Sequence, residues 1–125
     1  QALSISTDDL LGINADVSPS TWHTEATEGG LVDLRGFSGR GTVRVARDLP
    51  DIGLVVGDYL VLESEAELRP GRYVVVEDED GEQRLWRVAE VGERVIIERQ
   101  GRSPAILTPR YHQVLAVAVR SFREL

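Results

Sequence analysis

The 125-residue chain contains no lysine, no cysteine and no methionine, and all 14 of its basic residues are arginine. Without cysteine there can be no disulfide framework, thiol nucleophile or thiolate metal site. Without lysine there can be no Schiff base, phosphate-loop lysine or Ser–Lys hydrolytic dyad. Without methionine, Gln1 is not a translation start, and we expect the sequence to be a processed or truncated piece of a longer protein.

Long apolar runs are also absent, and 21 acidic residues against 14 basic ones give a formal net charge of −7. Runs such as 73–76 are far shorter than the roughly 20 residues that span a bilayer, and no leader peptide is visible, so we expect no membrane partner. The acidic balance argues against broad nucleic-acid binding by this piece, because phosphate contacts need clustered positive charge. The lack of cysteine is consistent with a cytoplasmic globular domain.

Two N-terminal zones differ in composition from the rest of the chain. Residues 1–12 are typical of the end of a helical unit, because Ser6 or Thr7 can cap a short helix. Residues 13–30 are rich in Ser, Thr, Pro, Glu and Gly, which predicts a linker or a loosely attached arm. Trp22 favours burial, so we expect part of this arm to dock.

Residues 31–125 have the pattern of a β-domain. Period-two alternation and β-branched runs, separated by Gly, Pro and Asp turn residues, predict about seven short strands. Asp80-Gly81 suits the tip of a tight hairpin. The predicted fold class is therefore all-β. The clearest strands are predicted at 42–47, 59–63, 72–77, 85–91, 94–98 and 114–122.

Residues 43–88 contain several motifs in a recognisable order. The turn DIGLVVGD at 51–58 is followed by a strand, by LRPGRYVVV at 68–76 and by a hairpin. This order resembles the C-terminal domain of LexA and lambda-CI-type repressors, the self-cleaving branch of the LexA/signal-peptidase-like fold. In that family a serine nucleophile precedes an Asp-x-Gly-Ile-x-x-Gly-Asp turn, and the return strand of the hairpin carries a lysine base. With a similar closing strand at 114–120, the resemblance covers residues 42–125.

Both catalytic positions of that family are altered in this sequence. Asp48 and Leu49 stand where the family has its serine, and Trp86 stands where it has its lysine. The dyad needs a serine hydroxyl and a neutral lysine, and arginine cannot serve as the base because its pKa stays above about 12. The family's Ala-Gly or Cys-Gly cleavage site is also missing. The resemblance therefore implies a peptidase-like domain that is not an enzyme, with Trp86 filling the apolar slot of the lysine.

Residues 2–12, ALSISTDDLLG, resemble the last turn and helix of a Cro/CI-type helix-turn-helix domain. Together the two resemblances imply a transcriptional repressor whose N-terminal DNA-binding domain is missing here and whose C-terminal domain forms a homodimer. Dimerisation would place two recognition helices about one DNA turn apart. An antirepressor, a separate protease or a ligand could relieve such a repressor, and the residues leave these possibilities open.

The closing strand is the best candidate for the homodimer interface. It is apolar on both faces, which is equally typical of a central core strand. In the repressors that this chain resembles, the closing strand contributes to the dimer. The candidate interface residues are Val114, Leu115, Val117, Val119 and Phe122.

Two alternatives to the repressor remain: a self-cleaving peptidase that pairs Ser38 or Ser64 with a histidine, and a sensor that binds a ligand or partner in the vacated groove.

His23 and His112 are 89 residues apart and have no His or Cys companion, so no metal or cofactor is predicted. The acidic run 77–82 lacks the ligand spacing of a calcium loop, which favours a solvated hairpin tip.

Overall fold

The computed structural model describes residues 22–123. The predicted helix-turn-helix tail at 1–12 and the first part of the predicted linker, 13–21, lie outside the described residues.

Residues 22–123 form one mixed β-sheet of eight strands, which confirms the all-β class. The strand order in the sheet is β1-β2-β3-β8-β4-β5-β6-β7. In the described part of the chain, no helix is long and apolar enough to cross a membrane. The strands are β1 (His23–Ala26), β2 (Arg40–Val45), β3 (Asp58–Glu63), β4 (Tyr73–Glu77), β5 (Gln83–Val91), β6 (Val95–Arg99), β7 (Arg102–Ile106) and β8 (Gln113–Arg123), with 3₁₀ turns at Glu28–Gly30 and Pro50–Ile52.

Six of these strands lie where the sequence patterns predict them, and β1 and β7 are additional. β1 falls in the predicted linker and pairs in parallel with β2. It has four residues, of which Ala26 alone is buried, so it carries almost no alternating signal. β7 contains Pro104, a residue that disfavours strands, and is mostly exposed.

Alternating side chains divide the apolar residues into two cores, one on each face of the sheet. Within β4, Val75 belongs to the first core, whereas Val74 and Val76 belong to the second. In the same way, β5 contributes Leu85 to the first core and Trp86 to the second. A sheet covered on both faces explains why its central strands are apolar runs rather than alternating ones.

The first core is enclosed on one side by residues 31–34, which lie between β1 and β2 in the chain and are hydrogen-bonded to the start of β5. The Val32 N–H donates to the Gln83 C=O at 2.9 Å, and the Leu34 N–H donates to the Gln83 side-chain oxygen at 2.7 Å. Val32 and Leu34 are both buried in the first core. Gln83 therefore anchors this segment to β5 through its backbone and its side chain together.

Trp22, at the start of β1, packs against the first core, so the docking expected at this residue is confirmed. Its ring meets Phe37 edge to face, with 4.9 Å between ring centroids. Its indole N–H donates to the Arg35 C=O at 3.1 Å. The ring lies directly over Gly41, where a Cβ atom would come within 2.4 Å of it. The sheet thus extends into the residues that composition assigns to a linker.

Candidate functional site

The loop between β2 and β3 carries the positions that the resemblance aligns with the serine nucleophile. Asp48 is exposed, and its carboxylate accepts a hydrogen bond from the Val56 N–H at 3.0 Å. Leu49 is fully buried in the first core and forms an isolated β-bridge with Leu54. The loop is thus closed on itself by backbone pairing, and Gly53 supplies the positive φ that ends its 3₁₀ turn.

Trp86, at the position aligned with the lysine base, lies in the second core and is 1% exposed. Its ring meets the His112 ring edge to face at 5.3 Å, and the Arg99 guanidinium lies 5.7 Å from its centroid. Leu49 contributes to the first core, on the opposite face of the sheet. The structure therefore does not bring Leu49 and Trp86 together.

Tyr73 and residues near the β6–β7 turn hold the 46–57 loop in place. The Tyr73 hydroxyl donates to the Ile52 C=O at 2.7 Å, and burial raises the pKa of this hydroxyl. The Gln100 side chain accepts a hydrogen bond from the Asp51 N–H at 2.8 Å, while the Asp51 carboxylate accepts one from the Gly101 N–H at 2.9 Å. The first aspartate of the DIGLVVGD motif is thus a loop anchor.

The last aspartate of the motif, Asp58, forms a partly buried ion pair at one end of the sheet. Its carboxylate is 2.6 Å from Nε of Arg123 and also accepts the Val55 N–H at 2.9 Å. The Arg123 hydrogen bond is the main reason that the pKa of Asp58 lies below its ordinary value. A cavity of about 270 Å³ lies beside the pair, lined by Gly53, Leu54, Asp58, Tyr73, Ser121, Phe122 and Arg123.

The predicted interface strand, β8, lies inside the sheet between β3 and β4. Val117 is buried in the second core, and Val114 packs against that core. Leu115 packs against the first core, and Val119 is half-buried. Phe122 is 48% exposed. Of the five candidates, Phe122 therefore presents the most surface to a partner.

Phe122 belongs to an aromatic pair that the sequence patterns do not reveal. Its ring stacks on Tyr59 of β3 with 5.2 Å between centroids and 9° between ring planes. The two residues are directly opposite each other in the β3–β8 register, and Arg44 of β2 is opposite Tyr59 on its other side. Strand alternation could have placed Tyr59 on the outer face, but not beside Phe122, because the strand order was unknown. We call Tyr59, Phe122 and Arg44 the aromatic face.

A second cavity, of about 420 Å³, adjoins the aromatic face where it meets β1. Arg44 forms an ion pair there with Glu25 of β1 at 3.3 Å. This part of the surface thus combines the ring of Tyr59, the cation of Arg44 and the anion of Glu25. The lining residues are Trp22, His23, Thr24, Glu25, Thr42, Arg44 and Tyr59.

The other predicted candidates lie apart from this surface or have structural partners. Ser38 and Ser64 are exposed, and His112 Nδ1 accepts a hydrogen bond from the Thr108 N–H at 3.0 Å. At the acidic hairpin tip, Asp78 is buried and forms an ion pair with Arg84 at 3.3 Å. Among residues 22–123, no group of three His, Cys, Asp or Glu side chains is placed to hold a metal ion.

No protein-family model matches the chain, and no curated protein matches it.

Proposed function

We propose that this chain is the self-association and regulatory domain of a helix-turn-helix transcriptional repressor, related to the self-cleaving LexA-like domains but without their catalytic dyad. The order of motifs between 42 and 125 supports the relationship. The resemblance aligns Asp48 and Leu49 with the serine nucleophile and Trp86 with the lysine base, and none of these residues can take over those roles. We propose that an N-terminal domain binds the DNA and, because the chain lacks cysteine, that the protein is cytoplasmic.

The observation that carries the self-association proposal is the aromatic pair formed by the exposed Phe122 and the half-buried Tyr59. A stacked pair on an open sheet face offers a rigid apolar contact area at low entropic cost, and aromatic residues are enriched at the centres of protein interfaces. A two-fold axis through this face would bring the same pair of each copy together. The dimer would then link two DNA-binding domains. When one of them binds its half-site, the effective concentration of the other at the second half-site is high.

Sedimentation equilibrium of the chain tests this proposal. We expect a dimer at micromolar concentrations, and we expect Phe122→Asp to weaken the association by at least about tenfold, because an interfacial carboxylate would lose its hydration. Tyr111→Asp is the matched control, because Tyr111 is 52% exposed but lies outside the aromatic face.

A chain that stays monomeric up to high concentration would contradict the self-association role. Equal weakening by Phe122→Asp and Tyr111→Asp would contradict the assignment to the aromatic face. Specific scission of the chain at alkaline pH would instead favour the peptidase alternative that uses Ser38 or Ser64.

A further inference from the structure

The C-terminal half of β8 has a neighbouring strand on one side only. β3 pairs with β8 as far as its last residue, whereas β4 pairs with it no further than Val117. The turn before β4 leads to β5 instead, because the Gly71 N–H and the Arg72 C=O are hydrogen-bonded to Val88, at 2.7 and 2.8 Å. Among the described strands, none therefore lies beside residues 119–123 on the β4 side, and we call this opening the notch.

The backbone of the notch has hydrogen-bonding groups that point away from β3. The Thr42 N–H donates to the Trp22 C=O of β1, so the next residue, Val43, directs its N–H and C=O groups to β3, where it is opposite Leu60. The backbone groups of Leu60 are thus directed to β2. Ser121 is opposite Leu60 on its other side, in a pair that is not hydrogen-bonded. The Ser121 N–H and C=O groups therefore point into the notch.

A cavity opens on each face of the sheet at the notch. The cavity of about 270 Å³ described above is on the first-core face, since Leu54 of that core lines it. A cavity of about 150 Å³ is on the second-core face, where it is lined by Arg72, the residue opposite Val88 of the second core. Tyr73 and Ser121 line both cavities. The notch thus has space for the side chains of an added strand on either face.

The two cavities differ in charge. Arg72 and Arg120 line the second-core cavity, and no acidic residue is among its described lining. Asp58 and Arg123, whose charges are paired, line the first-core cavity together with the apolar Leu54. The notch as a whole is therefore lined by three arginines and one aspartate, on a chain with a formal net charge of −7. This local excess of positive charge favours an acidic occupant.

We propose that the notch is the docking site for an extended acidic segment of a partner protein, which adds a strand beside residues 119–123. Backbone hydrogen bonds to Ser121 give such a segment its affinity, and the two cavities select its side chains. A residue opposite Ser121 shares the face of Leu60, so an apolar side chain there enters the first-core cavity. Its two neighbours point to the second-core face, where carboxylates meet Arg72 and Arg120. The notch therefore selects the order acidic, apolar, acidic.

Amide exchange of the full chain with synthetic peptides tests the proposal. The probes are Val-Glu-Val-Glu-Val and Val-Lys-Val-Lys-Val, both with blocked ends, which differ in charge but share their apolar residues. We expect the glutamate peptide to slow exchange at the Ser121 amide by at least about tenfold and the lysine peptide to leave it fast. The Phe122 amide is the internal reference, because it faces β3 and should exchange slowly with and without peptide.

A backbone variant tests whether the edge of β8 carries the affinity. Ser121→Pro removes the N–H group that points into the notch and removes no hydrogen bond to β3. We expect it to abolish binding of the glutamate peptide, measured by isothermal titration calorimetry. Ser121→Ala keeps the N–H group and should bind the peptide as the unsubstituted chain does. Binding that survives Ser121→Pro would overturn the added strand.

A charge variant tests the selection of acidic side chains and leaves the edge of β8 intact. The chain with both Arg72→Gln and Arg120→Gln should bind the glutamate peptide at least about tenfold more weakly. The control carries Arg94→Gln and Arg102→Gln, which change the net charge equally at exposed residues that line neither cavity. Equal weakening in the two chains would overturn the role of the notch arginines.

Three exchange results would overturn the proposal. Equal slowing by both peptides would remove the preference for an acidic partner, and no slowing by either would remove the docking site. Slow exchange at the Ser121 amide in the chain alone would show that the edge is already paired, and a dependence on chain concentration would give the notch to a second copy. These results are distinct from a failure of the self-association proposal, which depends on the aromatic face.

Discussion

Asp58 and Arg123 join the start of β3 to the end of β8, and this pair gives the stability of the domain a dependence on pH. The Asp58 carboxylate is buried and accepts hydrogen bonds from both Arg123 and the Val55 backbone. The Arg123 hydrogen bond lowers the pKa of Asp58 below its ordinary value. A lowered pKa means that the folded state holds the carboxylate charged at a pH where the unfolded chain has already bound a proton.

We therefore expect Asp58→Asn to lower the free energy of unfolding at pH 7 by roughly 1–3 kcal/mol, the range for hydrogen bonds to charged groups. In the unsubstituted chain this contribution is complete above the ordinary aspartate pKa of about 4 and is lost as the pH falls through the folded-state value. The acid limb of the stability curve should thus be shallower in Asp58→Asn. Urea unfolding at several pH values between 3 and 7 measures both effects.

Asp33→Asn is the matched control for this prediction. Asp33 also has a pKa lowered by hydrogen bonds from an arginine, Arg35, but both side chains are exposed. Water screens exposed ion pairs, so this variant should change the stability little. Equal losses in the two variants would contradict the role assigned to the buried pair.

For single residues, the sequence could predict that Asp51 and Asp58 lie at the two ends of a turn, because the motif places Gly53 and Gly57 between them. It could not predict that Arg123 is the partner of Asp58, since the two residues are 65 positions apart. Nor could it predict that Leu49 and Trp86 face opposite cores. Strand alternation separates the two faces of β5, but the face that the 46–57 loop covers depends on tertiary packing.

Among the elements, β1 is held to the sheet by the packing of Trp22 as well as by its backbone pairing. Four residues with one buried side chain give a short strand little intrinsic stability. The Trp22 ring packs on the Gly41 backbone of β2 and on Phe37, which adds buried apolar area to the start of the strand. This contact explains why a strand forms where composition predicts a linker.

The close approach of Trp22 to Gly41 predicts the effect of adding one methyl group. Because a Cβ atom at Gly41 would lie 2.4 Å from the Trp22 ring, Gly41→Ala must displace that ring. We expect a loss of roughly 1–3 kcal/mol in the free energy of unfolding, typical of overpacking, and a shift of the Trp22 indole N–H resonance. Denaturant unfolding and NMR spectra measure the two effects.

Gly92→Ala is the control for the added methyl group, because nothing lies within 4 Å of a Cβ atom at that position. It should change the free energy of unfolding by less than about 0.5 kcal/mol, as surface substitutions usually do. An undisturbed Trp22 resonance in Gly41→Ala would show that the ring does not pack on β2.

For the whole molecule, the order of the strands decides which surfaces face a partner. The all-β class and six of the strands follow from alternation and turn residues, because these are local signals. The position of β8 between β3 and β4 is a long-range property that no local pattern contains. It turns most of the predicted interface strand into core and leaves Phe122 exposed beside Tyr59.

The proposed dimer should also respond to salt in a direction set by charge. The whole chain has a formal net charge of −7, so two copies repel each other as they associate. The aromatic contact itself is insensitive to charge. Raising the ionic strength from 0.01 to 0.15 M shortens the Debye length from about 30 to about 8 Å. The dimer should therefore tighten, by roughly threefold or more.

Sedimentation equilibrium at the two ionic strengths measures this change, with Tyr111→Asp as the control for a general effect of surface charge. Tyr111 lies outside the aromatic face, so this variant should tighten to a similar degree. A dimer that weakens with salt would show that opposite charges meet across the contact.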